Sequence, residues 1–292
     1  MTGLVVPASI PSPEISSIHI GFLTIHFYAL CILLGMALAV WLTMRRWTRR
    51  GQDPDVLWDI VFWAVLAGIV GARAYHVLIT DPMGYFGPGA DPWDVLRIWE
   101  GGIGIMGAVT AGAGAAWLVC RRYGLPLHVF ADCVAPGLLL AQAIGRWGNW
   151  FNQELFGKPT TLPWGLEISP GSANFPPGLP PDTLFHPTFL YESLWDLLGV
   201  VLLLLAERRM RVTHGRVFAL YMVYYGAGRL FIEMFLRVDP ALMVLGVRVH
   251  VWTSLLIVLG GLVLFLVLGR RARRTGPTTP AATLTGAAPS AD

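Results

Sequence analysis

Seven apolar runs divide the chain, each near the ~20 residues that a helix needs to cross a bilayer, and they predict an all-α protein with seven transmembrane helices. They fall at about 20–44, 56–80, 101–120, 129–144, 187–206, 217–236 and 249–269. The third run has no charged residue. The fourth is short and passes directly into a polar stretch. The second carries Arg73, the fifth Glu192 and Asp196, and the sixth Arg229 and Glu233. In the third run, Gly104, Ala108, Gly112 and Ala116 recur every four residues with Gly107, Ala111 and Ala115 alongside. That small-xxx-small spacing suits close helix packing in lipid.

The basic residues give these runs an orientation. Arg45, Arg46, Arg49 and Arg50 follow the first run, and Arg121 and Arg122 the third. Arg208, Arg209, Arg211 and Arg216 follow the fifth, and Arg270, Arg271, Arg273 and Arg274 the last. Fourteen of the 21 Lys and Arg residues thus lie on one side of a seven-span path. The opposite loops hold mainly acids: Asp81, Asp91, Asp94, Glu100, Glu167 and Asp182. Positive charge marks the cytoplasmic side, so the N-terminus is expected outside and the C-terminus inside. Residues 1–19, with three prolines and no Lys or Arg, do not read as a signal peptide. They are expected to form an external segment, 20–270 a single seven-span domain, and 271–292 a disordered cytoplasmic tail. The long Pro- and Gly-rich loop at about 145–186 is expected to be a small external head.

Composition agrees with a membrane protein. The 292 residues are 55% hydrophobic and only 13% charged, about half the charge of a soluble domain, and the mean hydropathy is +0.59. Cys31, Cys120 and Cys133 stand singly in or beside apolar runs. This arrangement supports neither a disulfide framework nor a zinc site.

The candidate chemistry begins where the fourth run ends. Gly145 to Gly157 reads G-R-W-G-N-W-F-N-Q-E-L-F-G. Arg146, Asn149, Asn152, Gln153 and Glu154 are too dense a polar set to leave unpaired at the mouth of an apolar helix. With ~1.5 Å rise per residue, His26 and Tyr28 fall roughly 9 to 12 Å below the outer end of the first run. Arg73 lies near the outer end of its run, and Glu192 one turn into the fifth. Tyr225, Arg229 and Glu233 share a face at i, i+4 spacing. Asp59 and Asp132 fall near inner ends and read as interfacial or capping residues. The remaining set converges on a polar cavity opening toward the outer leaflet. Its arginines suit a phosphate, which their planar forks can grip in two places, and a phospholipid headgroup is the anion found at that depth. Structural ion pairing is the other reading of each arginine: Arg229 with Glu233, Arg73 with Glu192, Arg237 with Asp239. A lipid transporter or flippase is a second functional class, but no paired broken helices or inverted repeat support it. An intramembrane hydrolase lacks a nucleophile motif.

The G-R-W-G-N-W-F-N-Q-E-L-F-G stretch resembles the signature of the bacterial prolipoprotein diacylglyceryl transferases. Further pieces resemble the family in the same order: His26-Phe27-Tyr28, Gly71-Ala72-Arg73-Ala74-Tyr75, Trp99-Glu100-Gly101-Gly102, His186-Pro187 with Leu190-Tyr191-Glu192, and Tyr225-Gly226-Ala227-Gly228-Arg229 with Glu233 and Arg237. The resemblance covers roughly 20–270. It implies transfer of the diacylglyceryl group of phosphatidylglycerol to the lipobox cysteine thiol of a prolipoprotein, with release of glycerol phosphate. This is the first step of bacterial lipoprotein maturation. It implies no metal or organic cofactor and no nucleic acid. The partners are phosphatidylglycerol, the prolipoprotein signal peptide and the bilayer, and the place is the cytoplasmic (inner) membrane, with the active site facing the outer leaflet. Carried over by position, Arg229, Tyr28, His26 and Glu154 form the catalytic set. Arg146, Asn149, Asn152, Gly157, Glu233 and Arg73 form the phosphatidylglycerol-binding set, with Gly157 allowing close backbone approach. The chain departs from the family at Met106, where relatives commonly carry a histidine after W-[DE]-G-G. A methionine takes no proton, and a thiol of pKa about 8.5 must be activated. His26, Tyr28 and Glu154, in that order, are the remaining side-chain bases. The cationic cavity favours instead a thiol ionised by the arginine field alone.

Overall fold

The computed structural model describes residues 9–274 apart from 22, 211, 213, 240 and 241. The expected tail from 275 onward and the first eight residues of the expected external segment lie outside the described residues. Helices dominate: α1 (Phe27–Arg49), α2 (Pro54–Tyr75), a short α3 (Pro82–Phe86), α4 (Ile105–Arg122), α5 (Leu127–Phe151), α6 (Thr188–Met210), α7 (Arg216–Phe235) and α8 (Val249–Arg274). Three two-stranded antiparallel ribbons join them: β1 (Ser17–Ile20) with β2 (Leu23–His26), β3 (Leu166–Glu167) with β4 (Leu184–Phe185), and β5 (Met243–Val244) with β6 (Val247–Arg248).

Among the described residues, five helical stretches are long and apolar enough to cross a membrane: Phe27–Arg49, Pro54–Thr80, Leu127–Phe151, Thr188–Met210 and Val249–Arg271. The other two long helices match the third and sixth apolar runs but are less apolar. α4 is diluted by Gly and Ala and ends in two arginines; α7 carries Arg229, Glu233 and three tyrosines. Large apolar side chains such as Leu33, Phe62, Val70, Leu198 and Leu256 point outward and are exposed. A soluble monomer rarely tolerates that much exposed apolar surface, and lipid is its natural solvent. The chain is a predominantly helical multi-pass membrane protein.

The first apolar run is not one helix. Ser17 to His26 alternates polar and apolar residues with period two, the strand pattern, and Gly21 turns the chain at φ +60°. The ribbon β1–β2 pairs Ser17 with His26 and Ile20 with Leu23. Helix α1 therefore starts at Phe27, with His26 at its N-cap. His26 and Tyr28 sit at this end of the helix and not two turns inside it. The fourth run differs in the opposite sense. α5 continues through the polar motif to Phe151, so Arg146 and Asn149 are helical and the head begins near 152. Gly, Arg, Trp and Asn are all compatible with a helix once their side chains find partners, and tertiary contacts outweigh weak propensity. α8 likewise runs past the boundary placed at 270, to Arg274.

Packing fixes which ends lie together. Trp47 of α1, Leu57 and Ile60 of α2, Cys120 of α4 and Cys133 of α5 form one buried cluster. Ala135 and Leu139 of α5 meet Leu203 of α6 and Val217 of α7 in a second. Arg46 and Arg50 both pair with Glu207 of α6, and Arg46 also donates to the Cys133 and Asp132 carbonyls. These contacts gather the C-terminal ends of α1 and α6 with the N-terminal ends of α5 and α7. The head closes the other end. There Phe156, Leu166, Ile168, Phe185 and Phe189 bury one another. Residues 9–13 lace into it through Ile10, which bridges to Leu166, and through Trp150 and Gln153, which donate to the Pro11 and Pro13 carbonyls.

Asp132 caps a helix other than its own. Its carboxylate accepts from the backbone N–H of Gly215 at 2.8 Å and of Phe218 at 3.0 Å, at the start of α7. The first-turn N–H groups of a helix have no partner within it, and here a neighbouring helix supplies one. Asp132→Ala is expected to cost ~1–2 kcal/mol, the usual worth of a good cap, read as a lower thermal midpoint in detergent.

Candidate active site

The site lies at the head end, where α5, α6 and α7 meet. Arg146 faces α6 from the last two turns of α5, and its Nη2 lies 2.7 Å from Glu192 Oε2. Arg229 of α7 approaches the same oxygen at 3.5 Å and pairs with Glu233, one turn further on, at 2.5 Å. Arg237 reaches Glu192 Oε1 at 2.8 Å. Arg248, the last residue of β6, holds Glu233 at 2.9 Å and Asp239 at 3.1 Å. Four arginines thus share three carboxylates through ion pairs.

Exposure separates the arginines by task. The Arg237 side chain is 0% exposed and also donates to the Leu155 carbonyl. It is a structural tie between α7 and the motif. The side chains of Arg146 and Arg229 are 15% and 20% exposed. Among the described residues the Arg146 guanidinium has one ion-pair partner, Glu192, which leaves donors for a ligand. The expected Arg229–Glu233 pair is present, and the Arg229 side chain remains partly exposed beside it.

The motif is braced around Arg146. Asn149 is buried and donates to Glu154 Oε1 at 2.9 Å; Asn152 donates to the same oxygen at 3.3 Å. The Glu154 backbone N–H returns to the Asn149 carbonyl at 3.0 Å. The residues flanking Glu154 adopt left-handed conformations, Gln153 at φ +50° and Leu155 at φ +57°. Such backbone is unfavourable for residues with a Cβ and clusters at functional sites. At Leu155 it turns the carbonyl toward both Arg237 and the Thr188 hydroxyl. Tyr28 packs on α5 where a glycine leaves room: a Cβ on Gly148 would lie 2.7 Å from its ring. The hydroxyl is within electrostatic range of Arg146 and Glu154.

Between α6 and α7 this network borders a cavity of ≈ 530 Å³. Glu192, Asp196, Tyr225 and Arg229 give it a polar side; Trp195, Phe231, Ile232 and Leu236 give it an apolar one. A charged rim beside an apolar wall is the shape of a lipid site.

Of the residues singled out from sequence, Arg146, Asn149, Asn152, Glu154, Tyr28, Arg229 and Glu233 come together here. Arg73 and His26 lie apart from them, and Gly157 lies beside the network, bridged to Arg237. Arg73 donates to the carbonyls of Asp94, Val95, Gly101 and Gly102, at 2.5 to 3.0 Å, with Tyr85 against its guanidinium. Its fork is filled by the loop it organises, and it pairs with neither Glu192 nor the network. Gly157 does allow close approach, but to the chain itself: its N–H donates to the His186 carbonyl, and a Cβ would lie 2.8 Å from His186. His26 is exposed and makes none of the network's contacts. Met106 is exposed on the first turn of α4, a helix that contributes nothing to the cavity lining. The catalytic and binding sets expected from sequence omit Glu192, although it is the node joining three arginines, as well as Arg248 and Asp196. A carboxylate one turn into an apolar helix was the available signal.

The family model described as "Prolipoprotein diacylglyceryl transferase" matches residues 16–267. The chain is 51% identical to the phosphatidylglycerol–prolipoprotein diacylglyceryl transferase of Paenarthrobacter aurescens over 294 residues, covering 98% of this chain and 92% of that protein. It is 51% identical to transferase 2 of Streptomyces coelicolor, over 90% of this chain and 82% of the relative. It is 52% identical to the Frankia alni transferase, over 90% of this chain and 68% of the relative. With the family model spanning the ribbon, the motif, the head and the arginine network alike, the chain belongs to the prolipoprotein diacylglyceryl transferase family.

Proposed function

We propose that this protein transfers the diacylglyceryl group of phosphatidylglycerol to the lipobox cysteine thiol of prolipoproteins. The sulfur attacks the glyceryl carbon that bears the phosphate. The carbon–oxygen bond breaks, its electron pair stays on the phosphate oxygen, and glycerol phosphate leaves. The reaction balances with two substrates and needs no oxidant, reductant or cofactor. The observation that carries this reading is the pair of partly exposed arginines, Arg146 and Arg229, held on one carboxylate beside an apolar cavity. Phosphate goes from one negative charge to two as the bond breaks, and the open faces of Arg146 and Arg229 supply positive charge where it develops. Fixed charge aimed at developing charge commonly contributes more to catalysis than any other single effect. Asn149, Asn152 and Glu154 hold the helix end that presents Arg146. Tyr28 closes its other side, and Glu233 sets the Arg229 fork.

The seven-span path belongs to the same proposal, with the N-terminus outside, the C-terminus cytoplasmic and the site toward the outer leaflet of the bacterial cytoplasmic membrane. The positive-inside pattern supports it, as does the placement of the arginine network opposite the end that bears Arg46 and Arg50. The test is transfer of labelled diacylglycerol from phosphatidylglycerol vesicles to a lipobox peptide. Wild type is expected to be active and Arg146→Ala to lose roughly 100-fold or more, the scale of removing one oxyanion-stabilising donor. No transfer by folded wild type would overturn the proposal.

A further inference from the structure

Asp196 is a buried carboxylate of the site that the mechanism above leaves unused. It lies one turn beyond Glu192 on α6, is 3% exposed, and lines the same cavity as Arg229. The other acids buried in this bundle are engaged: Asp132 by two backbone N–H groups, Glu192 by three arginines, Glu233 by Arg229 and Arg248. Asp196 has neither a hydrogen-bond nor an ion-pair partner among the described residues. A buried carboxylate left this way is costly, and its natural complement is a proton donor brought by the substrate.

The attacking thiol is such a donor. The side chains named from sequence as alternative bases are poorly placed for it. His26 is exposed outside the network. Glu154 is engaged by two amides. A phenol such as Tyr28 normally holds its own proton at neutral pH. We infer that Asp196 is the proton acceptor for the lipobox thiol. As the sulfur–carbon bond forms and the carbon–oxygen bond breaks, the thiol proton passes to the Asp196 carboxylate. It then leaves with the glycerol phosphate or to water. The charged and titratable groups facing Asp196 are Arg146 from α5, Glu192 on its own helix, and Tyr221, Tyr224, Tyr225 and Arg229 from α7.

This inference rests on the transfer reaction proposed above, so the experiment separates the two. Phosphatidylglycerol vesicles are offered with a lipobox peptide to wild type, Asp196→Asn and Asp196→Glu, each checked by thermal unfolding. Asp196→Asn is expected to lower kcat ~100-fold or more, as loss of a general base does, with KM for phosphatidylglycerol within about threefold. Its deficit should narrow as pH rises past the thiol pKa of about 8.5. It should also narrow when selenocysteine, ionised already at neutral pH, replaces the peptide cysteine. Asp196→Glu should retain transfer to within about tenfold, and it carries the test if the Asn variant fails to fold. A purely structural role would not respond to the nucleophile. Wild-type rates in Asp196→Asn would overturn the inference and leave the arginine field as the thiol's only activator. A raised KM with kcat kept would overturn it in favour of a headgroup contact. A kcat loss unmoved by selenocysteine or pH would also overturn it. Absence of transfer by wild type would overturn the reaction itself, and this inference with it.

Discussion

Glu192→Gln should lower transfer by about 100-fold or more, although Glu192 is not assigned to touch either substrate. Its two oxygens accept from Arg146 at 2.7 Å and Arg237 at 2.8 Å, with Arg229 at 3.5 Å. Glutamine keeps the shape and one acceptor but removes the charge that holds three guanidiniums at one point. Removing one partner of a buried ion pair costs ~3–5 kcal/mol because the other charge stays buried and uncompensated. Each ~1.4 kcal/mol that falls on the transition state is a tenfold loss of rate. The remaining arginines should separate under their own repulsion, so Arg146 and Arg229 no longer converge on one phosphate. Both kcat and the affinity for phosphatidylglycerol should fall, with no recovery in high salt, since a buried network is little screened. The measurement is kcat and KM on material shown folded by thermal unfolding. An unchanged rate would mean that Arg146 and Arg229 are positioned without Glu192, and that its carboxylate is not the node of the network.

The helices were legible in the sequence because lipid-facing segments must be continuously apolar, and five of the seven runs agree with a helix to within about five residues at both ends. The failures share one cause, that hydropathy does not distinguish backbone geometry. Ile20 to His26 is apolar enough to be read into the first span, yet the period-two alternation from Ser17 onward makes a ribbon. Gly145 to Phe151 is polar enough to suggest a loop, yet it is helix, because Glu192 and Glu154 satisfy its side chains. The site was legible as a set of residue types and opaque as a set of pairings. Arg73 and Arg146 look alike in sequence. One ends among loop carbonyls and the other on Glu192, a carboxylate that lines the cavity. Only the fold around each separates a structural arginine from one left with donors to offer. The head was visible as a Pro- and Gly-rich loop, but not the threading of residues 9–13 through it.

The second large effect lies away from the site, in the seam between α2 and α4. The four-residue spacing of small residues in the third apolar run indicated close packing without a partner, and the partner is α2. A Cβ on Gly107 would lie 2.1 Å from the Gly71 carbonyl oxygen and 2.5 Å from Tyr75 Cβ. A Cβ on Gly71 would lie 2.3 Å from Ala111 Cβ. The obstacle at Gly107 includes backbone, which cannot swing aside as a side-chain tip can. Overpacking a well-filled contact costs ~1–3 kcal/mol and sometimes more. Gly107→Ala should therefore lower the thermal midpoint clearly, and Gly107→Val should leave little folded protein. Gly114, on the same helix, has nothing within 4 Å of a Cβ. Gly114→Ala should be neutral or gain ~0.5–1 kcal/mol, the ordinary advantage of alanine over glycine in a helix. The contrast removes helix propensity as an explanation, since both changes improve it. The arginine network belongs to α5, α6, α7 and the segment that follows α7 through β6, so transfer per folded molecule of Gly107→Ala should stay within about tenfold of wild type. Equal tolerance of alanine at 107 and 114 would show that α2 and α4 are not in backbone contact. A selective loss of activity in folded Gly107→Ala would instead tie this seam, and the loop that Arg73 clamps, to the chemistry.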